Sequence, residues 1–203
     1  MPKTIFATSI QSRPVYGELW PRPGTSHLMI ADAEGAGAIL NLMARGGDAL
    51  LAMSHIIHVQ GRSGTEYAVR LAALKPAQFQ AAPTYGAALP RLKKVLADAH
   101  MGLQVYLAGT EGLMGQTQTE AVAAGIPAAA IQMEHCGSRA RRVQCVHCKG
   151  ITETVCTDPF RCAHCGLDLF VRDHYSRRIA AFQGVNIDAE TPGVVPAALE
   201  RFP

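Results

Sequence analysis

Two Cys-x-x-Cys pairs near the carboxyl end constrain this chain more than any other feature. They read Cys145-Val-His-Cys148 and Cys162-Ala-His-Cys165, with Gly166 directly after the second and thirteen residues between them. That interval holds a short hairpin and is too short for a domain, so the two knuckles can bring four thiolates around one ion. Zn²⁺ accepts four sulfurs tetrahedrally and has no electronic preference for another geometry. A glycine after the second knuckle suits a tight turn that aims amide N–H groups at sulfur. Without a metal, tandem Cys-x-x-Cys pairs would be redox-active rather than structural, which favours the metal reading. Cys145, Cys148, Cys162 and Cys165 are therefore expected to hold a structural zinc.

An iron–sulfur cluster is the rival. Cys156, Cys162 and Cys165 form a C-x5-C-x2-C run, one residue longer than the plant-type ferredoxin spacing. Asp158-Pro159-Phe160 is also bulky where a loop wrapping a cluster uses small residues. His147 and His164 read as solvent-side knuckle residues, and Cys136 and Cys156 as ordinary thiols.

Upstream, short apolar runs at 27–31, 56–60, 79–83, 103–108 and 129–134 alternate with segments of helical spacing at 35–45, 64–74, 89–100 and 111–124. Leu89, Leu92, Val95 and Leu96 show that spacing, with Arg91, Lys93, Lys94 and Asp98 on the far side. Alternation of this length predicts an α/β fold, a doubly wound parallel five-stranded sheet with right-handed crossovers. Ligands of such sheets bind at the carboxyl ends of the strands, here the loops around Ala31, Gln60, Tyr85 and Gly109. Four segments are expected. Residues 1–26 form an arm, broken by Pro14, Pro21, Pro23 and Gly24 and packed through Tyr16 and Trp20. Residues 27–135 form the nucleotide-binding-type domain, 136–187 a zinc ribbon, and 188–203 a carboxyl-terminal arm that is disordered or laid on a neighbour.

At 203 residues, 48% hydrophobic and 17% charged, the chain has room for one medium domain and a small appendage. A net charge of +3 gives no general case for a nucleic-acid or membrane partner. No run of about 18 apolar residues occurs, and the amino terminus carries no apolar stretch. The expectation is a cytoplasmic protein, where clustered thiolates bind metal rather than oxidise. Arg139, Arg141 and Arg142 before the first knuckle, with Arg177 and Arg178 after the second, keep a nucleic-acid-binding ribbon open as an alternative. Without interleaved aromatic residues they read as a solvated or subunit-docking face. His55 and His58 read as packing residues, and Met43, Met53, Met101, Met114 and Met133 as core fillers. No nucleophile triad, carboxylate pair or phosphate-cradling loop is visible, so no catalytic residue is assigned.

The loops carry a resemblance. Leu28-Met-Ile-Ala31 followed by Asp-Ala-Glu-Gly-Ala-Gly-Ala-Ile-Leu40 resembles the first strand, glycine turn and helix of the nicotinamide-binding domain of ferredoxin reductases. His58-Val-Gln-Gly-Arg62-Ser63 resembles that family's second strand and its Arg/Ser turn. Val105-Tyr-Leu-Ala-Gly-Thr-Glu-Gly-Leu-Met114 resembles its Cys-Gly-Pro-Glu-Gly-Met signature. The resemblance implies Arg62 and Ser63 at the ribose phosphate of NAD(P)H and Gly109 and Thr110 beside the nicotinamide. The departures imply that this site is vestigial. Asp32 and Ala33 stand where the family has adjacent glycines, and Asp32 and Glu34 bring negative charge to a phosphate turn. Ala108 replaces the family's cysteine and Thr110 its proline. Only 26 residues precede the first strand, so a flavin would have to sit on another chain.

Over its whole length the pattern is narrower. The Ser12-Arg-Pro-Val-Tyr16 arm, the reductase-like body, the four-cysteine ribbon and Arg172-Asp-His-Tyr-Ser-Arg177 resemble the small-subunit family of bacterial dimethylamine monooxygenases. That resemblance implies an accessory subunit, without turnover of its own, in a heteromeric NAD(P)H-dependent complex that oxidatively demethylates a secondary amine. Haem, FMN and an iron–sulfur cluster would be on partner subunits. The alternative from the enzyme class is the pyridine-nucleotide half of a split reductase.

Overall fold

The computed structural model describes residues 14, 16–61, 64–189 and 192–203; Arg62, Ser63 and most of the 12–16 segment lie outside these described residues. Five strands, β1 (Ser26–Asp32), β2 (Ser54–Val59), β3 (Gln78–Ala82), β4 (Leu103–Gly109) and β5 (Ile131–His135), form one sheet in the order β3-β2-β1-β4-β5. Every pairing in it is parallel. Between the strands run α1 (Ala36–Ala52), α2 (Thr65–Ala73), α3 (Tyr85–Ala97) and α4 (Glu111–Ala123).

β1 is buried along its middle and half-exposed only at its ends, as a strand covered on both faces must be. Leu28 and Ile30 join Val105, Leu107, Leu92 and Leu113 on the face under α3 and α4. Met29 and Ala31 turn the other way, to Tyr106, Ile39, Leu42 and Leu71 under α1 and α2. Each fully buried aliphatic side chain contributes about 1.5–3 kcal/mol, so these two layers supply the main driving force for this part of the chain.

Two helix boundaries differ from the sequence expectation. α1 continues past the Gly46-Gly47 pair to Ala52, kinking at Gly47, whose φ is +63°. α3 begins at Tyr85 because Thr84 caps it, its Oγ1 accepting from Ala87 N at 3.2 Å. Pro90, in the second turn, removes the N–H that would bond the Gly86 carbonyl, so α3 lacks one link of its ladder there. The described part of the arm packs on the sheet. Gly17 N donates to Met133 O, Leu19 N to the Glu134 carboxylate, and Leu19 is fully buried. The outer edge of β5 is thereby covered, which protects it from pairing with another chain.

The remaining strands are β6 (Arg141–Cys145), β7 (Ile151–Val155), β8 (Thr157–Asp158), β9 (Phe160–Arg161), β10 (Asp168–Ser176), β11 (Ala181–Asn186) and β12 (Leu199–Glu200). β7-β6-β11-β10-β9 make a second sheet, parallel only between β6 and β11. Its core is small: Val143, Val155, Phe160, Leu169, Tyr175 and Phe182, with Cys145 and Cys162 among them. α4 lies between the two sheets. A Cβ on Gly115 would come within 2.8 Å of the Ala180 side chain and 2.9 Å of the Tyr175 hydroxyl, so helix and ribbon meet there in close contact.

The carboxyl-terminal segment lies on its own chain. β12 pairs with β8, Arg201 N and Phe202 N both donate to Cys156 O, and Arg139 N donates to Pro203 O. Among the methionines, Met43 and Met114 are core residues as expected, whereas Met53 and Met101 are exposed at the amino-terminal ends of β2 and β4.

Candidate functional site

The ribbon brings its four knuckle cysteines to one point. The two knuckles have the same hydrogen bonds: Lys149 N to Cys145 O and Cys145 N to Gly150 O in the first, Gly166 N to Cys162 O and Cys162 N to Leu167 O in the second. Gly166 takes a left-handed φ of +74°, and its counterpart Lys149 takes one of +63°. Each Sγ lies within 4.8 Å of the other three. Cys145 and Cys165 are 3.8 Å apart, as are Cys148 and Cys162.

Four sulfurs about 2.3 Å from a tetrahedral Zn²⁺ are spaced about 3.8 Å from one another, whereas a disulfide needs about 2.05 Å. The spacing therefore fits a metal, and all six cysteines are free. Burial pushes the Cys162 thiol up, but the Cys165 and His164 amides and the Cys165 and Cys148 sulfurs together outweigh it and bring it down to about 6. His164 uses Nε2 on Ile151 O at 2.8 Å and is no ligand. Cys156 stands outside the cluster with its Sγ toward Thr154 O, so the C-x5-C-x2-C run is not assembled around one point.

At the carboxyl ends of β1 and β4 the chain holds a carboxylate where its resemblance implies a phosphate. Asp32 Oδ1 accepts from Gly35 N at 3.0 Å. Asp32 Oδ2 accepts from Thr110 N at 2.8 Å and Thr110 Oγ1 at 2.7 Å. Gly35 and Thr110 are the cap residues of α1 and α4, and free amides at helix starts are the usual donors to a bound anion. A Cβ on Gly35 would lie 2.1 Å from the Ala108 carbonyl, and one on Gly109, at φ +129°, would lie 2.1 Å from Asp32 Oδ1. Gly109 and Thr110 thus converge on the turn, but what they meet is Asp32. Arg62 and Ser63 fall outside the described residues. His58, fully buried, points its ring nitrogens at Ala31 O and Gly64 O, tying β1 to the start of α2.

Of the five arginines read as a solvated or subunit-docking face, Arg139, Arg177 and Arg178 are exposed, whereas Arg141 and Arg142 are used internally, which corrects the reading for those two. Arg141 binds Asp173 and lies 4.1 Å over both the Phe182 and Phe202 rings. Arg142 binds Glu153 and the Ile179 and Ala180 carbonyls.

Comparison with known proteins agrees with the division into two sheets. Residues 8–131 match the family described as dimethylamine monooxygenase subunit DmmA-like, N-terminal domain, and residues 142–185 match its C-terminal domain. The chain belongs to the DmmA-like family. It is the family that the arm, body and ribbon resemble in sequence. A curated relative, the heme-dependent oxidative N-demethylase delta subunit of Ectopseudomonas mendocina (strain ymp), is 37% identical over 107 residues, which is 52% of this chain. The chain spans 61% of that relative's length. A looser likeness runs to phthalate dioxygenase reductase, a modular protein for electron transfer from pyridine nucleotides to [2Fe-2S]. There the TM-score is 0.42 and the identity 14%, covering 66% of this chain and 45% of the reductase. No described helix of this DmmA-like chain is long and apolar enough to cross a membrane.

Proposed function

We propose that the chain is an accessory subunit of a heteromeric NAD(P)H-dependent monooxygenase that oxidatively demethylates dimethylamine. It holds the haem subunit and the flavin/iron–sulfur reductase subunit in the cytoplasm and has no turnover of its own. Its domain 27–135 is a doubly wound nucleotide-type body turned scaffold, flanked by the arm 1–26, the ribbon 136–187 and the tail 188–203. Cys145, Cys148, Cys162 and Cys165 hold one zinc ion, which would supply a cross-link for a ribbon whose apolar core is small and would carry no electron.

The observation that supports the scaffold role is the Asp32 carboxylate. It already takes three donors that a pyrophosphate would need, and it repels a second anion there. A second reading, the nucleotide half of a split reductase, has in its favour that two helix starts, at Gly35 and Thr110, converge on one turn at the carboxyl ends of β1 and β4. Calorimetry with NADPH separates the two: no saturable heat is expected from the full chain, and saturable heat lost on Arg62→Ala would replace the scaffold reading with the reductase one. Oxidation of NADPH by the purified chain with an artificial acceptor would also end the scaffold reading. Elemental analysis should find one zinc per chain in a colourless protein; a brown, iron-containing sample would end the zinc assignment.

A further inference from the structure

The amino-terminal arm, the start of α4, the linker into β6 and the carboxyl-terminal segment converge around a cavity of about 340 Å³. It opens beside the end of β5, at the edge of the sheet where such folds bind ligands, and the residues that hold Asp32 do not line it. One wall is aromatic: the Tyr16 and His135 rings sit 5.5 Å apart. The others carry three cations, Arg139, Arg141 and Arg201, and one acid, Glu111.

The acid and the cations do not meet. Glu111 is 8% exposed, its Oε1 is shut off from solvent without a partner, and no ion pair joins it to any of the three arginines. Two arginines are anchored from behind. Arg141 is fixed by Asp173 and by the Phe182 and Phe202 rings, and Arg201 by Asp158. Among the described residues the Arg139 side chain has no ion pair; only its backbone N is engaged, by Pro203 O. Unsatisfied buried acceptors are costly, and fixed guanidinium groups are the preferred hosts for oxyanions. A guest that satisfies both walls has anionic oxygens on one side and a hydroxyl donor on the other.

We propose that this cavity is a binding site for a small hydroxyl-bearing oxyanion, a hydrogen phosphate or a short hydroxycarboxylate. The arginines hold its charge and Glu111 receives its O–H. The site is independent of the NAD(P)H question and of the identity of the knuckle metal, since none of the cysteines lines it.

Titration calorimetry at constant ionic strength, on the full metal-loaded chain, tests this with inorganic phosphate, with lactate, and with acetate as the carboxylate that lacks a hydroxyl. Saturable binding of phosphate or lactate is expected, whichever is tighter naming the source, with acetate weaker. Arg139→Ala should weaken the tighter probe by about tenfold, the worth of one charge-assisted hydrogen bond. This arginine is exposed, so its removal leaves the fold in place. Glu111→Gln should narrow the gap between lactate and acetate. No saturable heat from either hydroxyl-bearing probe, or binding equally strong in Arg139→Ala, overturns the proposal.

Discussion

The two sheets of this molecule are stabilised in different ways. The five parallel strands are covered by helices on both faces, and their central residues, Leu28, Ile30, Ile57, Val105 and Leu107, are almost wholly buried. The ribbon strands are largely half-exposed, their apolar core is smaller, and two of the residues buried in it are cysteines. Apolar burial suffices for the first; on the proposed zinc reading, the second takes its remaining stability from an ion that gathers its four thiols. The seam between them is α4, buried on one side by the sheet and on the other by the ribbon at Gly115.

That contrast can be broken most forcefully at the knuckles. Cys148→Ser, or chelation, should remove on the order of 10 kcal/mol of metal-linked folding energy. Hydrogen exchange should then become fast across β6, β7, β10 and β11, while β1 and β4 stay protected. Equal loss of protection in β1 would show the two regions to be one cooperative unit. The converse substitution, Ile30→Ala, should cost about 2–5 kcal/mol in denaturant unfolding of the parallel sheet. It should leave zinc retention unchanged.

The seam gives a pH test of intermediate size. Burial, opposed by the nearby Arg141 charge and the Tyr16 hydroxyl, raises the Glu111 carboxyl from 4.5 to about 7. A folded-state pKa above the unfolded one means that its contribution is complete below pH 4.5 and is lost as pH rises through about 7. Glu111→Gln should therefore flatten that decline and gain about 3 kcal/mol over the parent chain above pH 7, read from urea midpoints across the window. An unchanged pH profile would remove Glu111 as its source. Smallest of all, Phe202→Ala takes one of two rings from Arg141 and should cost about 0.5–2 kcal/mol. Thermal unfolding of the ribbon should show it, and a larger effect on the parallel sheet would mean that the tail braces both regions.

Much of this was legible from residue order. The five apolar runs, the intervening helices and the clustering of the cysteines at 145, 148, 162 and 165 are local patterns, set by strand burial, helical period and knuckle spacing. The misreadings share one cause, contacts between residues far apart in sequence. α4 has no clear amphipathic stripe because a second sheet covers its outer side, so its pattern gives no warning of Glu111. Arg141 and Arg142 look like surface charge until Asp173 and Glu153 are found opposite them. The tail reads as an arm that is disordered or laid on a neighbour, whereas it pairs with β8 of its own chain. Asp32 was visible as an intruding charge in a phosphate turn, but nothing in the sequence said that it would satisfy that turn's own donors.

What the sequence by itself determined is therefore the set of parts: a parallel sheet, because its three central strands are apolar on both faces, and a four-thiol cluster, because two short turns repeat the same spacing. Only the tertiary structure decided how these parts are used. It turned Asp32 onto Gly35 and Thr110, folded the tail over Arg141 and left Glu111 facing three arginines. Those outcomes depend on which distant groups are brought within hydrogen-bonding or Coulombic range, and no local pattern of residues encodes that distance.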